Sequence, residues 1–475
     1  MTVSDVTQNA SDLAASALHG SLLDPALESM NFLNEIANRY PDAISFASGR
    51  PYEEFFDIGL VHGYLDAYCD YLTGERGYSQ AQLNQTLFQY GRTKGIVHEL
   101  IARYLEVDEG ITADPESIVV TVGCQEAMFA VLRALRADDR DVLLAISPAY
   151  VGLTGAARLA DFPVWPVRSG RDGVDLHDLA AQAARARRAG LRARACYVMP
   201  DFANPSGVSM TVPMRHQLLE VAARERILLL EDNPYGTFHA GEHLPTLKAL
   251  DHSRQVIYLG SFAKTGFPGA RIGFAVADQR VADDSGNVSL LADYLSRIKS
   301  MLTVNTPPLA QAVVGGKLLA HDFSMAKANQ RETTHYLANM GQLLTGLASR
   351  FTGGDVSWNT PSGGFFAVVT LPFPADDDLL EYSAREHGVL WTPMSHFYAA
   401  DGYDATAGGA GPGGAGPGGA EHDGGRYQAR LACSQLSSDL IETGLDRFAA
   451  LIAGRRTWRR ARAGGPATSD NGPPS

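Results

Sequence analysis

Between residues 117 and 277 the chain alternates short, unbroken apolar runs with amphipathic helical stretches. The runs are SIVVTVG (117–123), DVLLAI (141–146), RACYVMP (194–200), RILLLED (226–232), QVIYLGS (255–261) and RIGFAVA (271–277). Each is rich in β-branched residues and leucine and is bounded by turn-forming or helical sequence, so each reads as a strand buried on both faces. Helical patterns over Gln125–Arg136 and through MRHQLLEVAARE separate them. Strands of this kind joined by helices require a mostly parallel sheet flanked by helices, an α/β fold.

Further helices are expected over roughly 284–350. After Thr352 the pattern changes. GGFFAVVTLP (363–372), GVLWTP (388–393) and YQARLAC (427–433) read as strands, with helices near 375–387 and 436–453, which describes a smaller α+β domain. The expected organisation is an N-terminal arm contributing to the small domain (1–60), a large domain (61–350), the small domain (351–455) and a disordered tail (456–475). The Gly/Pro/Ala stretch at 407–425 reads as a flexible insertion.

With 53 acids against 40 bases the formal net charge is -13, which argues against nucleic acid or an anionic membrane as partner. The four cysteines, Cys69, Cys124, Cys196 and Cys433, show neither CxxC pairing nor zinc-like spacing, so no metal is expected and a reducing compartment is. The N-terminus lacks the basic start and apolar core of a signal peptide, and no apolar run approaches the ~18 residues needed to span a bilayer. A cytoplasmic protein is the expectation.

The strand ends carry the chemistry. GSFAKTGFPGARIGF (260–274) sets Lys264 among glycines, with Ser261 three residues before it and Arg271 seven after. A lysine bonded covalently to pyridoxal phosphate needs rigid backbone around it, with a hydroxyl and a forked guanidinium for the phosphate. It also needs a carboxylate to keep the pyridine nitrogen protonated, so that the ring draws off electrons. Asp232 closes an apolar strand, where an acid is costly unless it pairs with a cation. Tyr235 in EDNPYG and Asn204 in PDFANPSG can donate to the ring oxygen. TVGCQEAM (121–128) joins strand to helix at Gly123, Cys124 and Gln125, leaving N–H groups free to cradle a phosphate. Tyr150 in SPAYVG can stack on the ring face. Taken singly, each motif reads as an ordinary turn, helix cap or solvated charge. Their succession at the strand ends of one sheet is what points to a cofactor.

On these motifs, together with ISFASGRP, LFQYGRTKG, PSGGFFA and ARLACSQL, the chain resembles the class I/II aminotransferases. These are fold-type I pyridoxal phosphate enzymes, and the likeness is greatest to the kynurenine/2-aminoadipate subgroup, over about residues 30 to 455. The resemblance implies that Lys264 forms the covalent link to the cofactor and that Asp232 partners the pyridine nitrogen. It makes Tyr235 and Asn204 the ring-oxygen ligands, and Ser261 and Arg271 the phosphate ligands. Tyr90 in QYG would reach the phosphate of a neighbouring subunit, implying a homodimer with shared active sites. Arg430 would hold the substrate α-carboxylate, with Gly49 in the same pocket. Cys124 stands where the family usually has a small hydroxyl residue, so one phosphate bond would be lost or weakened. A helix N-terminus would lower that thiol's pKa and a nearby phosphate would raise it.

GRPYEEFFD (49–57), Phe202 and Tyr398 offer aromatic surface, and Arg50 a second cation, so aromatic L-amino acids are the expected substrates. Within the family the chain is similar to the aminotransferases that make hydroxyphenylglycine or dihydroxyphenylglycine for peptide antibiotics. Two alternatives stay open. A cyclase or β-eliminating enzyme on the same fold would share every cofactor residue. The sensor half of a transcription regulator would need a DNA-binding domain, for which the ~40 residues before the likeness leave no room.

Overall fold

The structure, a computed structural model, describes residues 13–24, 27, 35–170, 172–398 and 424–463. Nearly all of the Gly-rich insertion at 407–425 and the end of the tail lie outside the described residues.

Seven strands form the main sheet, in the spatial order Ile118–Val122, Ile272–Val276, Val256–Ser261, Leu228–Asp232, Arg192–Val198, Asp141–Ser147, Val164–Arg168. All run parallel except Ile272–Val276, which is antiparallel to both its neighbours. Val119, Leu143, Leu230 and Ile257 pack into one core cluster, while Val120, Tyr258 and Phe274 face another, so both faces of the sheet are covered. At most 1% of any of these side chains is exposed, and burying one leucine or isoleucine stabilises the fold by about 1.5–3 kcal/mol. The edge strand Val164–Arg168 escapes the apolar-run criterion because Trp165, Pro166 and Arg168 interrupt it; proline is tolerated at a sheet edge.

The helical region expected from 284 begins instead with a hairpin. Arg280–Ala282 pairs with Val288–Leu290 around Asp283, whose side chain accepts from the amides of Ser285 and Asn287, and Gly286 sits at φ +83°. Helices Leu291–Leu302, Pro308–Ala320 and Gln330–Arg350 follow.

A second sheet has the order Ser357–Trp358, Phe366–Thr370, Gln428–Ala432, Thr392–Pro393. It packs with helices Gln330–Arg350 and Ser438–Ala463 around Leu343, Trp391, Leu431 and Phe448. Ile44–Ser45 pairs in parallel with Val389–Leu390 and delivers the 46–50 segment to the edge of the main sheet. Among the described residues no helix is long and apolar enough to cross a membrane.

The most extensive helix–helix contact joins Pro308–Ala320 to Ile58–Asp70. It is close because Gly315 and Gly316 face Tyr68 and the Tyr64 carbonyl, where a Cβ would collide. Alanine at 316 gains about 1 kcal/mol of helix propensity but meets a backbone oxygen that cannot rotate away. Gly316→Ala should therefore destabilise by about 1–3 kcal/mol net in denaturant unfolding; an unchanged or raised midpoint would mean the two helices sit farther apart.

Candidate active site

Brought together at the carboxyl ends of the parallel strands, most of the polar residues singled out from the sequence line one cavity of about 260 Å³. Asp232 is the last residue of its strand and Ser261 of the next. Tyr150 caps the helix Val151–Leu159, and Asn204 follows the Arg192–Val198 strand. Because Ile272–Val276 runs the other way, its beginning lies at this same edge, and Arg271 with it. The register Val122↔Ile272 places Arg271 beside Gly123. Arg271 is held at φ +50°, and Gly123 at φ +73° has no room for a Cβ against the Arg271 guanidinium.

Strand alternation explains why Asp232, and not Glu231, faces the cavity. Glu231 points to the opposite side and accepts the amides of Leu247 and Lys248, each at 2.7 Å. The loop carrying Asn204 is pinned by the buried pair Arg215–Asp201. Asp232 accepts from the Tyr197 hydroxyl at 2.6 Å and from the Cys124 thiol at 3.7 Å. Burial raises its pKa to about 6, and these two donors oppose the rise. The Cys124 thiol is pushed well above its ordinary value, first by burial and then by Asp232. Cys124 thus pairs with the carboxylate, where the sequence pointed to a weakened phosphate contact.

The Lys264 amine donates to the Gly49 carbonyl at 2.7 Å. Its pKa falls to about 8 because it is withdrawn from water and faces Arg430, Arg50 and Arg271. Arg430 packs against the rings of Phe366 and Phe397, its guanidinium carbon 4.5 and 4.9 Å from their centroids. It donates to Asn204 Oδ1 at 2.6 Å, Ala47 O at 2.6 Å and Thr392 Oγ1 at 3.2 Å, while its Nε is buried without a partner. Burial pushes the Arg430 pKa down to about 10. Tyr235 sits edge-on to Phe365 and Phe366. The Gln125 amide is engaged with Gly152 O.

Some residues stand elsewhere. Tyr90 is 83% exposed and lines a separate cavity with Tyr71, Arg76 and Arg92. Phe202 is buried against Gly363 and Gly364, and Tyr398 packs with Met394 and Val151; neither lines the main cavity. Sequence reasoning missed Tyr197, Phe366, Phe397 and Ala47. PSGGFFA flagged the neighbourhood of Phe366 and ISFASGRP that of Ala47, but nothing local marks Tyr197 or Phe397, which arrive by long-range pairing.

The pyridoxal phosphate expected from the sequence fits this cavity on three counts. Arg50, Lys264, Arg271 and Arg430 line it against a single carboxylate, Asp232, so it favours an anionic occupant. The Arg271 guanidinium has no hydrogen-bond partner among the described residues, and it occupies the space that a Cβ at Gly123 would take. The buried Arg430 Nε is a further donor awaiting an acceptor.

Comparison with known proteins agrees. The family model described as aminotransferase class I and II matches residues 72–406. The chain is 56% identical over 452 residues to the (S)-3,5-dihydroxyphenylglycine transaminase of Amycolatopsis orientalis, covering 94% of this chain and 97% of that protein. It is 29% identical over 372 residues to the 2-aminoadipate transaminase of Thermus thermophilus, covering 77% of this chain and 84% of the other. Among solved structures it is similar to the α-aminoadipate aminotransferase of Thermus thermophilus complexed with N-(5'-phosphopyridoxyl)-L-leucine. That match has a TM-score of 0.72 and 25% identity, and covers 94% of this chain and all of that one.

A lysine amine with a pKa of about 8 is reactive two pH units earlier than an ordinary one. In cofactor-free protein, reductive methylation of Lys264 followed by mass spectrometry should show a midpoint near pH 8, and Arg430→Leu should move that midpoint upward. A midpoint near that of surface lysines would contradict the electrostatic description.

Proposed function

This chain belongs to the class I and II aminotransferases, with pyridoxal phosphate as cofactor, and we propose that it moves the amino group between an aromatic L-amino acid of the 3,5-dihydroxyphenylglycine type and a 2-oxo acid. The observation that carries the reaction is the convergence of the Lys264 amine, the Asp232 carboxylate and the Arg430 guanidinium on one cavity. The substrate class rests on the 56% identity to the Amycolatopsis orientalis enzyme. Phe366, Phe397, Met128, Met199 and Val151 give the cavity apolar lining that supports an aromatic side chain.

We assign the roles as follows. Asp232 would pair with the ring nitrogen, Tyr235 and Asn204 with the ring oxygen, and Tyr150 with the ring face. Ser261, Arg271, Cys124 and Gln125 line the phosphate end of the cavity, although the Cys124 thiol itself is turned to Asp232. When bound, the cofactor supplies a protonated aromatic ring that takes up the electron pair released at the substrate's α-carbon. Arg430 holds the substrate carboxylate, its plane fixed by the two phenyl rings and three acceptors. Lys264 Nζ, its pKa lowered to about 8 and so more readily uncharged than an ordinary lysine, would take the proton from the substrate's α-carbon and hand it to the carbon on the far side of the amino nitrogen, two bonds away. Gly49 O orients that amine.

We read the assembly as a homodimer in which Tyr90 serves the neighbouring site. The exposed Phe88, Tyr90, Met301 and Leu302 support an apolar surface that a second copy would cover. The division into 1–60, 61–350 and 351–455, and a cytoplasmic location, belong to the same reading.

Two variants test it. Lys264→Ala should abolish turnover. Arg430→Lys keeps the charge but loses the planar fork, and should raise KM for the amino donor by about 10- to 100-fold. A donor panel followed by oxo-acid formation should rank (S)-3,5-dihydroxyphenylglycine above alanine and glutamate. Turnover retained by Lys264→Ala removes the mechanism, and a preference for small aliphatic donors removes the substrate class.

A further inference from the structure

We propose that Tyr197 and Cys124 are positioning residues that together fix the Asp232 carboxylate for its ring-nitrogen partner. The parallel register Tyr197↔Leu230 sets the tyrosine two residues before Asp232 on the adjacent strand, so its phenol reaches the carboxylate along the strand direction. The hydroxyl meets Oδ2 at 2.6 Å. Cys124 enters from a different element, the first turn of the helix Gly123–Leu135, and its thiol meets Oδ1 at 3.7 Å. Each carboxylate oxygen is therefore tied to one donor, and the two ties come from opposite quarters, which fixes the plane of the group. The remaining lone pairs are left for the cavity.

The direction of both hydrogen bonds is set by burial. Burial and the neighbouring Asp232 hold the Tyr197 hydroxyl and the Cys124 thiol well above their ordinary pKa values, so both remain protonated donors across the working pH range. Asp232 must then accept twice, which only the ionised form does fully. Tyr150, Tyr235 and Arg271 are the other titratable or charged groups facing this cluster, with Lys264 across the cavity. Tyr197 does not line the main cavity; its ring lines a second one of about 240 Å³ with Tyr150, Met199 and Met210. It acts through Asp232 alone.

This inference rests on the cofactor occupying the cavity with its ring nitrogen at Asp232, so the test begins with unmodified holoenzyme and its cofactor absorbance band. The readouts are the pH midpoint of that band and the cofactor Kd of the cofactor-free protein. A looser hold on the ring-nitrogen proton makes the ring withdraw fewer electrons from the Lys264–cofactor nitrogen, which becomes more basic. Tyr197→Phe should therefore raise the midpoint by about one pH unit and weaken cofactor binding by about 10-fold. Cys124→Ala should do the same more weakly, since a thiol is the poorer donor. Unchanged midpoints and Kd in both Tyr197→Phe and Cys124→Ala overturn the proposal, even if thermal stability falls. A wild-type holoenzyme without the band overturns the cofactor placement and this inference with it.

Discussion

A parallel sheet buried on both faces can display polar groups only where its strands stop. The arrangement of this molecule follows from that restriction. Six of the seven main strands share one direction, so the turns after them gather at one edge, and the reversed strand Ile272–Val276 starts there. Asp232, Ser261, Tyr150, Asn204 and Arg271 meet because each sits at such an end. The second sheet and the Ile44–Ser45 pairing close the other side, bringing Arg430, Gly49 and Arg50 to face them.

The electrostatics of that enclosure do the rest. Four basic groups around one carboxylate make a cavity that is repulsive until an anion fills it. Burial, with that repulsion added, lowers the Lys264 pKa to about 8, which makes the free amine more available for covalent chemistry and proton transfer at carbon. Arg430 offsets part of the cost of burying a guanidinium through its two aromatic neighbours and three acceptors, and its Nε–H stays without a partner. Gly49 serves two of these devices: its carbonyl receives Lys264, and its missing Cβ gives Phe366 room over Arg430.

The α/β sheet was legible because buried parallel strands leave continuous apolar runs, and the fold-type I architecture matches the family and structural relatives. The site was partly legible for a related reason: an acid or lysine at the end of such a run has no structural excuse. What local sequence did not reveal came by long-range pairing. Tyr197 reads as one more buried strand residue until the register with Leu230 aims it at Asp232. Phe397 and Ala47 meet Arg430 only after the small sheet forms. The Val164–Arg168 edge strand and the 280–290 hairpin were hidden by a proline and by a turn inside an apparently helical stretch. Cys124 sat at a familiar phosphate position, and only the folded geometry shows its thiol turned to the carboxylate.

The central claim is that Lys264 carries the cofactor. Borohydride reduction of the holoenzyme, then proteolysis and mass mapping, should place a single phosphopyridoxyl group on Lys264. A label on another lysine, such as the buried Lys94, Lys248, Lys299 or Lys317, or no label on any lysine, would contradict this assignment.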